Sequence, residues 1–113
     1  MIEKKNFYIN GKWVSPSKPN DFEVIDPSTE EPFAVISLGS AKDADDAIIA
    51  AKIAFESWRE TSKEERLSLL EKFDEIYNRR WDEMVNAQST EMGAPLDYSS
   101  EIHTKMGADI SKN

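Results

Sequence analysis

The chain of 113 residues contains no cysteine and only one histidine, His103. The missing cysteines exclude disulfides, thiolate metal sites and thiol nucleophiles from this segment. A single histidine is too few for a histidine-based metal cluster. These absences remove several common catalytic chemistries before any motif is considered.

Glycine is also scarce, and the four glycines at positions 11, 39, 93 and 107 are far apart in the sequence. A dinucleotide-binding turn of the Rossmann type places several glycines close together between a strand and a helix. No stretch of this chain has that pattern. We therefore expect no cofactor-binding residues in the segment.

Long apolar runs are missing too, since none approaches the ~20 residues that cross a bilayer. The first residues lead into a strand-like segment rather than the apolar core of a signal peptide. We therefore expect a cytoplasmic protein without membrane contact. The net charge is −8 and the isoelectric point about 4.6. Because binding to nucleic acid requires a basic face, nucleic acid is not an expected partner.

Residues 7–38 read as strands and turns. The dipeptide Asn10-Gly11 separates two short aromatic and β-branched runs, which predicts a β-hairpin closed by a type I′ turn. Two further extended runs follow, at 22–25 and 33–38, and turn residues at Asp26 to Pro32 separate them. The sequence therefore predicts an N-terminal hairpin and additional short strands.

Residues 40–113 have helical periodicity, which predicts three to four α-helices. Ser40 is suited to cap the first helix, with Asp43 adding negative charge to its first turn. Ser62 and Glu65 have the spacing of a capping box for the second helix. Gly93 is placed to end the helical region that follows.

A last helix is predicted from about Asp97, with Ile102, Met106 and Ile110 along its apolar edge. The helices carry more apolar surface than the short strands can cover. The residues expected to need partners are Phe73, Tyr77, Trp81, Met84, Ile102 and Met106.

Five short motifs follow one another along the chain. They are FYINGKW at 7–13, VIDPST at 24–29, an alanine-rich helix at 45–59, SKEERLSLL at 62–70 and EMGAP at 91–95. Their order and spacing resemble those of the NAD(P)-dependent aldehyde dehydrogenases, over most of the chain from about Phe7 to Asp109. Each motif alone is common, whereas five in the right order are a specific signal.

The resemblance implies an α/β fold with a Rossmann-like NAD(P) domain, a catalytic domain and an oligomerisation arm. Residues 1–113 would form the N-terminal part of the NAD(P)-binding domain. The family oxidises aldehydes to carboxylic acids with NAD or NADP, using a cysteine thiolate as nucleophile and a glutamate that activates water. Since the chain has no cysteine, it would be inactive alone, and it contributes no catalytic residue by motif.

The resemblance also implies one binding site and one departure. Many family members hold a monovalent cation near the VIDPST segment. Here Val24 and Ile25 would supply backbone carbonyls, and Glu101 or Asp97 a carboxylate. The departure is Glu30, which stands where the family usually has glycine, so we expect a remodelled turn.

Two functions from different classes remain open. The first is an aldehyde dehydrogenase whose activity belongs to a longer chain, with the remainder of that chain and further copies in a homo-oligomer as partners. The alternative is a stand-alone, non-enzymatic α+β module for interaction or oligomerisation that derives from the same family.

Overall fold

A computed structural model describes residues 1–110 of the chain, except for the side chain of Ile110. That side chain and residues 111–113 belong to the predicted helical region but lie outside the described part. The contacts divide the chain into two compact units. The first unit holds Met1–Ile25 and Glu31–Thr61, and the second holds Asp26–Glu30 and the residues from Ser62 onward.

The first unit contains five strands and one long helix. The strands are β1 (Ile2–Lys4), β2 (Phe7–Ile9), β3 (Lys12–Val14), β4 (Asp21–Asp26) and β5 (Glu31–Ser37), and the helix is α1 (Ala41–Trp58). β5 lies between β1 and β4 in a three-stranded sheet, while β2 and β3 form a separate pair.

The predicted hairpin is confirmed. β2 pairs antiparallel with β3, with Phe7 opposite Val14 and Ile9 opposite Lys12. Between the two strands Asn10 has a φ of 53° and Gly11 a φ of 72°. Positive φ at both central residues is the property of a type I′ turn, whose twist matches that of the flanking strands.

β1 was not predicted, since the expected strand region begins at residue 7. β1 runs parallel to β5, with Ile2 opposite Ala34 and Lys4 opposite Ile36. All three of its residues are exposed. It therefore lacks the alternation of buried and exposed side chains that marks a strand in a sequence. Its conformation depends on pairing with a strand about thirty residues later.

The second unit is helical. It contains α2 (Lys63–Arg79), α3 (Trp81–Met92), α4 (Leu96–Tyr98), a π-helix (Ser99–Thr104) and α5 (Lys105–Ile110). The predicted fold class of short strands followed by helices is thus confirmed. The last predicted helix departs from expectation, because its middle is a π-helix. Periodicity taken at 3.6 residues per turn does not reveal such a segment.

The helix boundaries follow from local chemistry. Arg80 leaves the helical region with φ −101° and ψ 21°, which separates α2 from α3. Gly93 ends α3 in the left-handed conformation, with a φ of 70°. Glycine adopts that conformation without a Cβ penalty, so its predicted role as the stop of this helix is confirmed.

Few apolar side chains are buried among the described residues. They are Ala34 and Val35 in the first unit, and Val85 and Ala108 in the second. No residue of α2 is buried. Over residues 1–110, no helix combines the length and the apolar character required to span a membrane.

Candidate functional site

The turn between β5 and α1 is the one place in the first unit where a strand leads directly into a long helix, as in a nucleotide-binding turn. Only Leu38, Gly39 and Ser40 separate the two elements. Ser40 is the N-cap of α1, and its hydroxyl accepts a hydrogen bond from the backbone N–H of Asp43. This geometry decides whether the helix N-terminus is available to an anion.

Asp43 occupies that N-terminus with its own carboxylate. Its Oδ2 accepts a hydrogen bond from the Ser40 N–H at 2.8 Å, and its Oδ1 accepts one from the Ser17 N–H at 2.8 Å. The Ser40 hydroxyl also donates to Oδ2 at 2.7 Å. A complete capping box therefore forms here. At α2, where the sequence predicted one, the structure shows the Ser62 hydroxyl accepting from the Glu65 N–H at 3.1 Å.

These hydrogen bonds to the ionised form lower the pKa of Asp43 to about 2, with the Ser40 N–H as the largest cause and the Ser17 N–H as the next. The carboxylate is therefore charged at neutral pH. A negative charge seated on the helix N-terminus repels a pyrophosphate from the same position. The β5–α1 turn thus does not fit NAD(P).

The N-termini of the other long helices are also acidic. The first turn of α2 carries Glu64 and Glu65, and that of α3 carries Asp82 and Glu83. Carboxylates at these positions stabilise the helices by interacting with their dipoles. None of the three long helices in the described part of the chain offers an uncharged N-terminus to a phosphate group.

The residues predicted for a monovalent cation are distributed over both units. Val24, which is half-buried, and Ile25, which is exposed, lie in β4 of the first unit. Glu101 is exposed in the π-helix of the second unit. Asp97 is also exposed, in α4, and its Oδ1 accepts a hydrogen bond from the Tyr98 N–H at 2.9 Å. The cation site stays a prediction.

A different kind of metal site can be assessed for the described residues. Within 1–110, no group of three or more histidine and carboxylate side chains is placed to hold a metal ion.

The turn from Asp26 to Glu30 belongs to the second unit and contains the residue that departs from the family pattern. The Asp26 carbonyl accepts hydrogen bonds from the Thr29 N–H at 3.3 Å and from the Glu30 N–H at 2.8 Å. Glu30 has a φ of 60°. Glu30 therefore adopts the left-handed conformation that glycine would take without strain. The expected remodelling of the turn relative to the family stays a prediction.

Gly93 brings two of the sequence motifs together. A Cβ at this position would lie 2.8 Å from Cγ of Pro27, which is closer than real Cβ contacts. The glycine of the EMGAP motif therefore packs directly against the proline of the VIDPST motif. The contact explains, in physical terms, why a side chain is excluded at Gly93 in addition to its positive φ.

The π-helix is held by side chains from α2 and α3. The Tyr77 hydroxyl donates to the Thr104 carbonyl at 3.1 Å, and Trp81 Nε1 donates to the Ser100 hydroxyl at 3.0 Å. The fully buried Thr104 donates from its hydroxyl to Gln88 Oε1 at 3.0 Å. Tyr77 and Trp81, which the sequence analysis expected to need partners, find them within the second unit.

His103 is the only imidazole in the chain. Its ring packs edge-on against Tyr98, with the ring centroids 5.0 Å apart. Its Nδ1 is buried and has no hydrogen-bond partner among the described residues, and the same is true of the hydroxyl of Ser99. Among the described residues, Nδ1 therefore lacks the hydrogen bond to a carboxylate that would orient the ring as a general base.

Comparison with known proteins agrees with the resemblance carried by the sequence motifs. The model of the aldehyde dehydrogenase family matches residues 13–112. A 3-succinoylsemialdehyde-pyridine dehydrogenase from a Pseudomonas species is 44% identical over 96 residues, which are 85% of this chain and 20% of that protein.

Solved structures agree with this match. An aldehyde dehydrogenase from Bartonella henselae superimposes with a TM-score of 0.97 and 53% identity, over 100% of this chain and 24% of that one. Aldehyde dehydrogenase C from Pseudomonas syringae, solved as a mutant in complex with NAD+ and octanal, superimposes with a TM-score of 0.93 and 35% identity. That match covers 96% of this chain and 22% of the other. The chain thus spans about a fifth to a quarter of these relatives' length.

Proposed function

Because the chain belongs to the aldehyde dehydrogenase family, we propose that it forms the N-terminal part of the NAD(P)-binding domain of an enzyme that oxidises an aldehyde to a carboxylic acid. The observation that carries this proposal is the superposition of the whole chain on the Bartonella henselae enzyme, with a TM-score of 0.97 and 53% identity. Within such an enzyme these residues act as a scaffold.

The catalytic groups are supplied, in this proposal, by the rest of the enzyme. The chain has no cysteine that could form a thioester with the substrate. The N-terminus of α1 carries the Asp43 carboxylate and does not fit a pyrophosphate. NAD+ is the cofactor we propose for the complete enzyme, since the Pseudomonas syringae relative was crystallised with it.

We extend the proposal to the cellular location and the oligomeric state of the enzyme. The cytoplasm is the location we propose for the enzyme, as a member of the aldehyde dehydrogenase family. Assembly into a homo-oligomer is supported by the large apolar side chains that the described residues leave exposed.

A chimera tests the proposal directly. Residues 1–113 would replace the matching quarter of the Bartonella henselae enzyme, and aldehyde-dependent formation of reduced nicotinamide would be measured for the chimera and for the 113-residue chain. We expect turnover from the chimera and none from the chain alone. Turnover by the pure chain would contradict the proposal that the catalytic groups lie in the rest of the enzyme. A folded but inactive chimera would favour the alternative of a stand-alone, non-enzymatic module.

A further inference from the structure

Asn10 is the one asparagine of the chain that a glycine follows. In an Asn-Gly pair the backbone nitrogen of the glycine can attack the side-chain amide of the asparagine, because no Cβ on the second residue shields that nitrogen. The attack closes a succinimide ring and converts the asparagine to an acidic residue. Whether the pair reacts in a folded protein depends on its exposure and its hydrogen bonds.

Both residues of this turn are open to solvent. Asn10 and Gly11 are exposed, and apart from the chain neighbours no atom lies within 4 Å of the place where a Cβ on Gly11 would stand. Among the described residues, the Asn10 side chain has no hydrogen-bond partner and the Gly11 N–H donates no backbone hydrogen bond. Hydrogen bonds therefore hold neither the attacking nitrogen nor the amide that it attacks.

Asn78 and Asn86 are in the opposite situation. Nδ2 of Asn78 donates to the Asp74 carbonyl at 2.7 Å, and Nδ2 of Asn86 donates to the Asp82 carbonyl at 2.8 Å. Both asparagines lie in long helices, where the following N–H takes part in the hydrogen-bond ladder, and both precede a residue with a Cβ. They serve as internal references of low reactivity.

Ring closure requires rotation about the Cα–C bond of Asn10, since the Gly11 nitrogen must reach Cγ of Asn10. β2 and β3 have three residues each and form a two-stranded sheet of their own. A ribbon of two strands is marginally stable and opens locally more readily than a strand inside a larger sheet. Local opening of the hairpin therefore gives the turn the freedom that the reaction needs.

We propose that Asn10 is a site of spontaneous deamidation, and that its isoaspartyl product disrupts the hairpin. The Gly11 nitrogen forms a bond to Cγ of Asn10 while the Cγ–Nδ2 bond breaks, and the proton lost by Gly11 leaves with Nδ2 as ammonia. Water then adds to one of the two succinimide carbonyls and opens the ring, which gives aspartate or isoaspartate. Water is the sole co-reactant, and no oxidation or reduction takes place.

The two products differ in their effect on the hairpin. Aspartate keeps the backbone unchanged, and Asp-Gly suits the same type I′ turn. Isoaspartate carries the chain through the former side chain, which adds one carbon atom to the backbone between the two strands. The two-residue turn fixes the pairing of Phe7 with Val14, so the longer link displaces this register. Phe7 then leaves its position beside Gly39, where a Cβ would lie 3.7 Å from its ring.

Ageing of the 113-residue chain in mildly alkaline buffer tests the proposal. The tryptic peptide 6–12 contains both Asn10 and Asn6, which a phenylalanine follows. Mass spectrometry should show conversion of Asn10 to an acid while Asn6 and Asn78 keep their amides. Equal conversion of Asn10 and Asn6 would overturn the assignment, as would an intact Asn10 after Asn78 has reacted.

Two variants separate the chemistry from loss of the fold. Gly11→Ala forces alanine to a φ of 72° and so destabilises the hairpin, yet it should lose most of the conversion because its Cβ shields the nitrogen. Conversion as fast as in the parent would contradict attack by that nitrogen. Asn10→Asp reproduces the charge of the product on an unchanged backbone. The isoaspartyl chain, purified by chromatography, should melt at least ~4 °C below Asn10→Asp, and equal midpoints would overturn the disruption of the hairpin.

Discussion

β5 and α2 differ in how far this chain completes their surroundings. β5 has neighbours on both edges, and Ala34, Val35 and Ser37 within it are buried. α2 is more than twice as long and has no buried residue. The difference has a physical origin, because a strand needs another strand to satisfy its backbone, whereas a helix satisfies its backbone internally. A helix can therefore keep its conformation in a segment that leaves one of its faces uncovered.

The comparison separates features that contacts within this chain stabilise from features that depend on further polypeptide. Gly93 beside Pro27 and Gly107 beside Tyr77 leave no room for a Cβ, and both positions lie in the second unit. Substitutions at such contacts should be costly in the 113-residue chain itself. Substitutions at exposed apolar positions of α2, such as Phe73, should cost little in the chain alone.

The largest effect is expected for Gly93→Ala. The new Cβ would require both a left-handed backbone for alanine and displacement of Pro27, and these together should lower the free energy of unfolding by roughly 2–4 kcal/mol. Urea denaturation of the chain measures the change. In a Pro27→Ala background the steric part should disappear while the backbone part remains. An equal cost in both backgrounds would show that the proline contact is not the cause.

Gly107→Ala should have the next largest effect. A Cβ at Gly107 would overlap the Tyr77 hydroxyl, which donates to the Thr104 carbonyl. We expect a loss of about 2 kcal/mol in the free energy of unfolding. Tyr77→Phe removes the overlapping oxygen, so the alanine should cost markedly less in that background. Simple additivity in this double-mutant cycle would contradict the proposed contact.

Asp43→Asn tests a feature that this chain completes by itself, and the test uses the pH dependence of its stability. The pKa of Asp43 is depressed to about 2 in the folded chain, whereas in the unfolded chain it lies near 3.9. A depressed pKa contributes stability above the unfolded value, and that contribution is lost as pH falls from about 4 to 2. At neutral pH the asparagine variant should melt roughly 5 °C lower, and this difference should shrink over the acid range. A constant difference from pH 7 to pH 2 would refute the role of the charge.

The smallest effect is expected for Glu30→Gly, which should raise the free energy of unfolding rather than lower it. Glycine relieves the left-handed conformation at a φ of 60° but increases the freedom of the unfolded chain. The net gain should be about 0.5 kcal/mol in the free energy of unfolding. Glu30→Ala, which retains the Cβ, is the control and should give no gain. Equal behaviour of the two variants would mean that Glu30 is not strained.

Much of the fold could be predicted from the sequence because its signals are local. Asn10-Gly11 specified the hairpin, Ser40 the start of α1 and Gly93 the end of α3. The parallel strand β1 could not be predicted, since it depends on pairing with β5 about thirty residues later. The π-helix was missed because its supports at Tyr77 and Trp81 lie on two other elements, α2 and α3.

The sequence predictions about the site concern mainly what this segment lacks. The scattered glycines predict that it forms no pyrophosphate turn, and the Asp43 carboxylate at the start of α1 adds an electrostatic reason for the same prediction. The contact between Gly93 and Pro27 joins two motifs that are more than sixty residues apart, which no local pattern could reveal. The cation site at Val24, Ile25 and Glu101 stays a prediction.

Hydrogen–deuterium exchange of the 113-residue chain and of the chimera tests most directly whether α2 is completed by further chain. Exchange rates report the free energy of local opening for each element. We predict that the amides of α2 exchange at least ~10-fold more slowly in the chimera, while those of β5 change much less, since β5 is already enclosed. Equal protection of α2 in the two proteins would contradict the claim that this helix depends on the rest of an aldehyde dehydrogenase subunit.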